Sequence, residues 1–217
     1  MKIKEEMLKG PNCPNAFCPL FVPWERRLQT ASAFYYVFMF LIAPLPCMLL
    51  PFYLIFFTPL WLPTMLYLLW IYIDRKTPER GGRPNQAFRN RAVWRYFAHY
   101  FPIKLVKTAE LPADRNYIFG SHPHGIMSIA NFATFCTNST DFDSHFPGIQ
   151  CSAVTLPNMF WFPFRRELVV SSGAITSHAH SIEYVINPDN KGRAVSIVLG
   201  GAEEALVRFN YITWLRI

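Results

Sequence analysis

A chain of 217 residues is long enough for one domain with a sizeable core, yet 52% of it is hydrophobic and 17% aromatic, with 18 prolines, rich for a soluble domain. The net charge of +7 is concentrated in residues 74–110, where anionic lipid headgroups or an acidic substrate would meet it. Nucleic acid is the weaker partner because no DNA- or RNA-binding motif accompanies the charge, and the five irregularly spaced cysteines (Cys13, Cys18, Cys47, Cys136 and Cys151) form neither a disulfide framework nor a zinc motif.

Residues 1–30 are polar and irregular, and the expectation is a cytosolic N-terminal segment. Residues 31–73 then contain no charged side chain, and at about 1.5 Å per residue they give nearly twice the helix needed for a ~30 Å hydrocarbon core. Pro44, Pro46, Pro51, Pro59 and Pro63 argue against one continuous helix. The expectation is a transmembrane hairpin whose two spans meet near residues 46–51, with a buried core hairpin as the alternative. Arg26 and Arg27 precede the run and Arg75, Lys76, Arg80 and Arg83 follow it. Basic flanks on both sides put both ends in the cytosol. The run begins too late and is too long for a cleavable signal peptide.

Residues 74–102 read as a basic interfacial segment. In 86–101 Val93, Trp94, Phe97 and Phe101 share a helical face with Arg89, Arg91 and Arg95 off it, the pattern of a helix lying in the membrane surface, or of an ordinary surface helix. From residue 103 to 217 the pattern changes. "IKLVKT" (103–108), "NYIFG" (116–120), "QCSAVT" (150–155) and "AVSIVLG" (194–200) are strand-like, while "IMSIANFATFC" and "HSIEYVI" between them have helical spacing. Alternating strands and helices indicate an α/β domain with a largely parallel sheet. Asn138-Ser139-Thr140 is a glycosylation sequon that a cytosolic face would leave unmodified.

Chemistry is expected where "IFG" runs into "SHPHG", because α/β folds put ligands at the carboxyl ends of strands. Pro123 stiffens the turn and Gly125 permits an unusual backbone angle. A neutral imidazole from His122 or His124 there could take a proton from a hydroxyl and make the alcohol a nucleophile. The rival reading is a pair of hydrogen-bonded turn residues. A second His-x-His at His178 and His180 raises a zinc site of four imidazoles, but no sequence rule brings the pairs together, and no metal is assigned. Further on, Gly200 and Gly201 close a strand before Glu203 and Glu204. Spacing alone leaves two readings even: acids in a first helical turn, or a carboxylate that orients a histidine.

Several ordered blocks together resemble the type 2 diacylglycerol O-acyltransferase family, with its monoacylglycerol and wax-alcohol acyltransferase relatives. They are the residues around 17–30, "DRKTPERGGR" (74–83), "AVWRYFAHYFPIKLVKT" (92–108), "NYIFGSHPHGIMS" (116–128), "FPGI" (146–149), "FPFRREL" (162–168) and "GGAEEAL" (200–206). The resemblance implies a membrane-embedded helical hairpin followed by a truncated glycerolipid-acyltransferase-like α/β domain. It also implies an enzyme of the endoplasmic reticulum membrane, with lipid droplets as a second location, that moves a fatty acyl group from acyl-CoA to an acylglycerol hydroxyl. Its His-Pro-His-Gly block maps onto His122, Pro123, His124 and Gly125, with His124 the base. Its glutamate maps onto Glu204 rather than Glu203, and its Tyr-Phe-Pro block onto Tyr100, Phe101 and Pro102. Arg166 becomes a candidate contact to a substrate phosphate or carbonyl. No cofactor is implied beyond acyl-CoA as co-substrate; the partners are diacylglycerol or monoacylglycerol, the bilayer, and a homo- or hetero-oligomer.

The resemblance stops after Leu206, where "VRFNYITWLRI" replaces the family's continuing blocks. The sequence therefore carries the expectation that this chain alone has little or no transferase activity. The alternatives are a non-catalytic lipid-binding or partner-regulating member of the family, and a metal-dependent membrane hydrolase.

Overall fold

The computed structural model describes residues 22–122 and 127–200. It opens with α1 (Trp24–Val37), which continues through a π-helical turn to Ile42. Pro44 has no N–H to continue the ladder and its ring would strike the preceding turn. The chain bends there by 65° into α2 (Pro44–Phe57). A break at Thr58, Pro59 and Leu60 precedes α3 (Trp61–Ile73), which ends in a 3₁₀ turn over Asp74–Glu79. Pro44, Pro46 and Pro63 all sit in first turns, where a missing N–H costs nothing, and of the five prolines in this run only Pro51 lies inside a helix.

This corrects the expected hairpin. Its tip is at residues 58–60 rather than 46–51, and residues 31–42 belong to a helix docked on the domain. Tyr36 of α1 is 2% exposed, ringed by Phe40, Phe97 and Phe132 at 4.5 to 4.8 Å. No single described helix is long and apolar enough to cross a membrane; Trp24–Ile42 and Pro44–Phe57 together have the length and composition, but across the bend.

The remainder is mixed helix and parallel sheet, as expected. After α4 (Gln86–Arg89) and α5 (Ala92–Tyr100) come β1 (Tyr117–Ser121), α6 (Ile129–Asn131, prolonged by a π turn to Cys136) and α7 (Phe142–His145). Then follow β2 (Gln150–Thr155), α8 (Arg165–Ser171), β3 (Ile175–Thr176), α9 (Ala179–Val185) and β4 (Arg193–Val198). The four strands are all parallel in the order β1-β4-β2-β3. Consecutive buried residues in β2 (Cys151, Ser152, Ala153) and β4 (Ala194, Val195, Ser196) mark strands covered on both faces. Gly192 has φ +67°, and a Cβ there would strike the Gly148 carbonyl, so glycine lets the starts of β2 and β4 close together.

On one face, α5 and the π turn after α6 build an aromatic core with α1. Phe97, Phe135, Phe142 and Phe146 are at most 1% exposed, each such side chain contributing about 1.5–3 kcal/mol. Ile175, Val185 and Val195 form a smaller cluster on the other face. The apolar face of residues 86–101, expected on the membrane surface, is taken up by this protein core instead: Trp94 and Phe97 are buried against Phe132. "IKLVKT" is not a strand. Ile103 and Leu105 pack on the aromatic core while Lys104 and Val106 face out, so the alternation is real, but the segment joins no ladder.

Candidate active site

The register of the sheet sets side by side the strand ends that lead into the two chemically marked segments. β1 and β4 pair from Tyr117↔Ala194 to Ser121↔Val198, and the Leu199 N–H donates to the Ser121 carbonyl at 3.2 Å. The strands are parallel and adjacent, so His122 and Gly200 leave side by side at the carboxyl edge, where parallel sheets place ligands. Gly120 lacks the Cβ that would come within 2.9 Å of Leu199 Cδ1, which lets Leu199 lie across the end of β1. His122 is exposed at this edge. Pro123, His124, Gly125 and Glu204 lie outside the described residues.

Both ends of the loop that carries His124 are anchored. At the entrance, Ser121 Oγ donates to Asn131 Oδ1 at 2.7 Å, Ser196 Oγ donates to the same oxygen at 2.5 Å, and the two hydroxyls are 3.2 Å apart. All three residues are at least nine-tenths buried. Polar groups this deep are stable only when bonded to one another, so the cluster fixes the ends of β1 and β4 to α6. At the exit, Tyr36 Oη donates to the Met127 carbonyl at 2.9 Å, tying the loop to α1.

The other sequence-marked residues lie on other elements. Tyr100, Phe101 and Pro102 close α5: Arg26 lies 5.2 Å over the Tyr100 ring, and Phe101 packs edge-on to Phe97 at 5.2 Å. Arg166 is 1% exposed and occupied. Its Nη2 donates to both the carbonyl and Oδ2 of Asp74 at 2.8 Å, and its Nη1 to Glu167 Oε1 at 2.9 Å. It therefore clasps α8 to the exit of α3, with three of its five N–H donors committed to Asp74 and Glu167. Although burial pulls Asp74 the other way, hydrogen bonds from Thr77 and Arg166 and the charges of Arg166 and Arg83 hold its carboxyl below the usual range. Neighbouring ties repeat the design. Arg165 Nε donates to the Met39 carbonyl at 2.8 Å, and the Phe164 N–H, at a left-handed φ of +62°, donates to Tyr67 Oη at 2.7 Å.

His178 and His180 sit past the end of β3, three strand spacings from β1, roughly 14 Å across the sheet. The four-imidazole zinc site is thus set aside. Burial pushes the Cys136 thiol up to about 11 and raises Cys151 further, so neither provides a thiolate nucleophile.

Residues 53–213 match the family model described as diacylglycerol acyltransferase. The chain belongs to the diacylglycerol acyltransferase family. It is 43% identical over 190 residues to 2-acylglycerol O-acyltransferase 1 of Bos taurus, covering 88% of this chain and 56% of that protein. Against diacylglycerol O-acyltransferase 2 of Homo sapiens it is 44% identical over 182 residues, 84% of this chain and 47% of the relative. Diacylglycerol O-acyltransferase 2A of Umbelopsis ramanniana is 43% identical over 191 residues, 88% of this chain and 53% of the relative. The chain thus spans about half the length of the curated relatives it matches. No solved structure matches it.

For this diacylglycerol acyltransferase family member, sequence reasoning missed the residues that hold the site. Ser196 was the readable signal: a hydroxyl between Val195 and Ile197, in phase with buried Ala194. Its partners, Ser121 and Asn131, stand 75 and 65 positions away, a distance no local pattern bridges.

Proposed function

We propose that this chain carries the acyl-transfer site of an acyl-CoA-dependent O-acyltransferase, whose acceptor is the hydroxyl of diacylglycerol or a related acylglycerol, in triacylglycerol synthesis. The observation that carries the reading is the parallel pairing of β1 with β4, which sends the histidine loop and the Gly-Gly-Ala-Glu-Glu segment out from neighbouring strand ends. Relatives at 41–45% identity are named for transfer to diacylglycerol and 2-acylglycerol.

His124 removes the proton from the acceptor hydroxyl, and the Glu204 carboxylate stabilises the resulting imidazolium. The acceptor oxygen attacks the thioester carbonyl carbon, and backbone N–H groups around Gly125 stabilise the tetrahedral oxyanion. Collapse breaks the carbon–sulfur bond, and the CoA thiolate takes the proton back from His124. With Arg166 held by Asp74, the oxyanion role falls to the loop backbone. The chemistry needs neither an acyl-enzyme nor a metal ion.

The hairpin supplies the lipid. α2 and α3, 14 and 13 residues long, reach roughly 20 Å each, short of the ~30 Å hydrocarbon core. They fit a re-entrant hairpin in the cytosolic leaflet of the endoplasmic reticulum, with residues 22–30 and 74–200 on the cytosolic side. Phe52, Phe56, Phe57, Trp61, Leu66 and Leu69 are each more than half exposed on it. At the tip, Thr58 and Thr64 hydroxyls donate to the Leu54 and Leu60 carbonyls at 2.7 Å, which gives both hydroxyls the partner that lipid cannot. At the base, Arg75 covers the Tyr72 ring at 4.7 Å and Arg83 the Trp70 ring at 5.4 Å, as charged and aromatic residues do at a membrane interface.

The test is transfer of labelled oleate from oleoyl-CoA to diacylglycerol or monoacylglycerol. It uses membranes from cells that make no triacylglycerol, with this chain and with a version extended by a relative's carboxyl-terminal part. Product formation lost on His124→Ala and kept on His178→Ala supports the reading. Transfer that survives His124→Ala, or absence of transfer by both forms at matched membrane levels, overturns it; the second outcome favours a non-catalytic lipid-binding member of the family.

A further inference from the structure

Three metal-ligating side chains converge away from the histidine loop. Glu79, His178 and His180 present one carboxylate oxygen and two imidazole nitrogens that all lie within 4.8 Å of one another. His180 Nε2 is 3.5 Å from Glu79 Oε2, and the two imidazole rings stack at 5.3 Å with 13° between their planes. The stacking sets His178 directly beside the Glu79–His180 contact.

The backbone under the donors is fixed on both sides. His178 caps α9, where its carbonyl accepts from the N–H groups of Ser181 and Ile182, and the Ser181 and Thr176 hydroxyls bond at 2.6 Å. Glu79 ends the 3₁₀ turn that the Arg166–Asp74 clasp and the Thr77–Asp74 hydrogen bond hold in place. Two anchored backbone elements thus bring the three donors to one place. The side chains themselves are free to close: His180 is 60% exposed and Glu79 34%. Tetrahedral zinc, with bonds of about 2.0–2.2 Å, asks its donors to approach to about 3.3–3.5 Å by rotamer adjustment alone.

We propose that Glu79, His178 and His180 bind one divalent transition-metal ion of the zinc class, with a solvent-facing fourth position. Two imidazoles and a carboxylate are a zinc donor set. The ion would link the exit of the apolar hairpin, which carries Glu79, to α9 behind the far strand β3. It would act as a staple between hairpin and sheet, separate from acyl transfer and independent of it.

The experiment uses the full chain with a histidine-free tag in detergent, titrated with zinc and, separately, with cobalt. One equivalent of zinc, with cobalt giving tetrahedral visible absorption bands, is expected. His178→Ala, His180→Ala and Glu79→Gln should each weaken the zinc Kd by at least about 10-fold, and Glu79→His should restore binding. Far-UV circular dichroism unchanged among the variants separates ligand loss from misfolding; should one unfold, the Glu79→Gln and Glu79→His pair decides. Absence of a stoichiometric ion, or zinc binding that all three substitutions leave intact, overturns the proposal.

Discussion

Replacing Arg166 by alanine should destabilise the domain, with any effect on catalysis following from that loss. The Arg166 side chain is 2% exposed and that of its main partner, Asp74, 11%. The substitution deletes one charge-assisted bond to Asp74 Oδ2, one bond to the Asp74 carbonyl and one to Glu167. Glu167 is 36% exposed, so its share is small. Asp74 retains Thr77 and Arg83, which softens the loss, but removing one partner of a buried pair typically costs about 3–5 kcal/mol. At about 2–4 °C per kcal/mol for a chain of this size, Tm should fall by roughly 6–20 °C in a detergent thermal-shift assay. Arg166→Lys should lie between, because an ammonium cannot span carboxylate and carbonyl as a planar fork does. In a double-mutant cycle with Asp74→Asn the two losses should be strongly sub-additive. A Tm within about 2 °C of wild type, together with a raised KM for acyl-CoA, would refute the clasp and return Arg166 to the substrate.

Asn131→Ala leaves the Ser121 and Ser196 hydroxyls without their shared acceptor and should cost about 1–3 kcal/mol, read as a lower Tm, with amide exchange faster at the ends of β1 and β4. Because the folded Asp74 carboxyl titrates below its unfolded value, its contribution is complete above about pH 4 and lost as pH falls through the folded pKa. Asp74→Asn should therefore flatten the acid limb of a stability–pH curve, and an unchanged limb contradicts the clasp. Brominated lipids in liposomes should quench the fluorescence of Trp61 and Trp70 but leave Trp94, 3% exposed in the protein core, unquenched; single-tryptophan variants with equal quenching at all three would remove the re-entrant hairpin.

Much of the α/β unit was legible because its signals are local. The runs at 150–155 and 194–200 are small and β-branched except for Gln150 and Leu199, as two-sided burial demands, and they became β2 and β4 almost residue for residue. β3 spans two residues, too short for any periodic signal. Residues 103–108 alternate as a strand does, but against side chains rather than a neighbouring strand, and alternation cannot tell those apart. The hairpin was misplaced for a related reason. Five prolines were read as interruptions, whereas three of them occupy helix first turns and mark beginnings. For Arg166 and the helix at 92–100, sequence shows the residue type and the face but not which partner meets it; Asp74 lies 92 positions from Arg166. The histidine loop and Gly-Gly-Ala-Glu-Glu were legible as motifs, whereas the pairing of the strands that lead into them, β1 with β4, was not.

In the proposed mechanism His124 and Glu204 act as one unit. The direct measurement is the acyl-transfer rate of four proteins at matched membrane levels, in whichever of the two forms supports transfer: unaltered, His124→Ala, Glu204→Gln and the double variant. Loss of the base should cost about 10²–10⁴-fold, and the double variant should be no slower than His124→Ala alone, as for groups that share one task. Losses that multiply, or a Glu204→Gln protein as fast as the unaltered one, would contradict it.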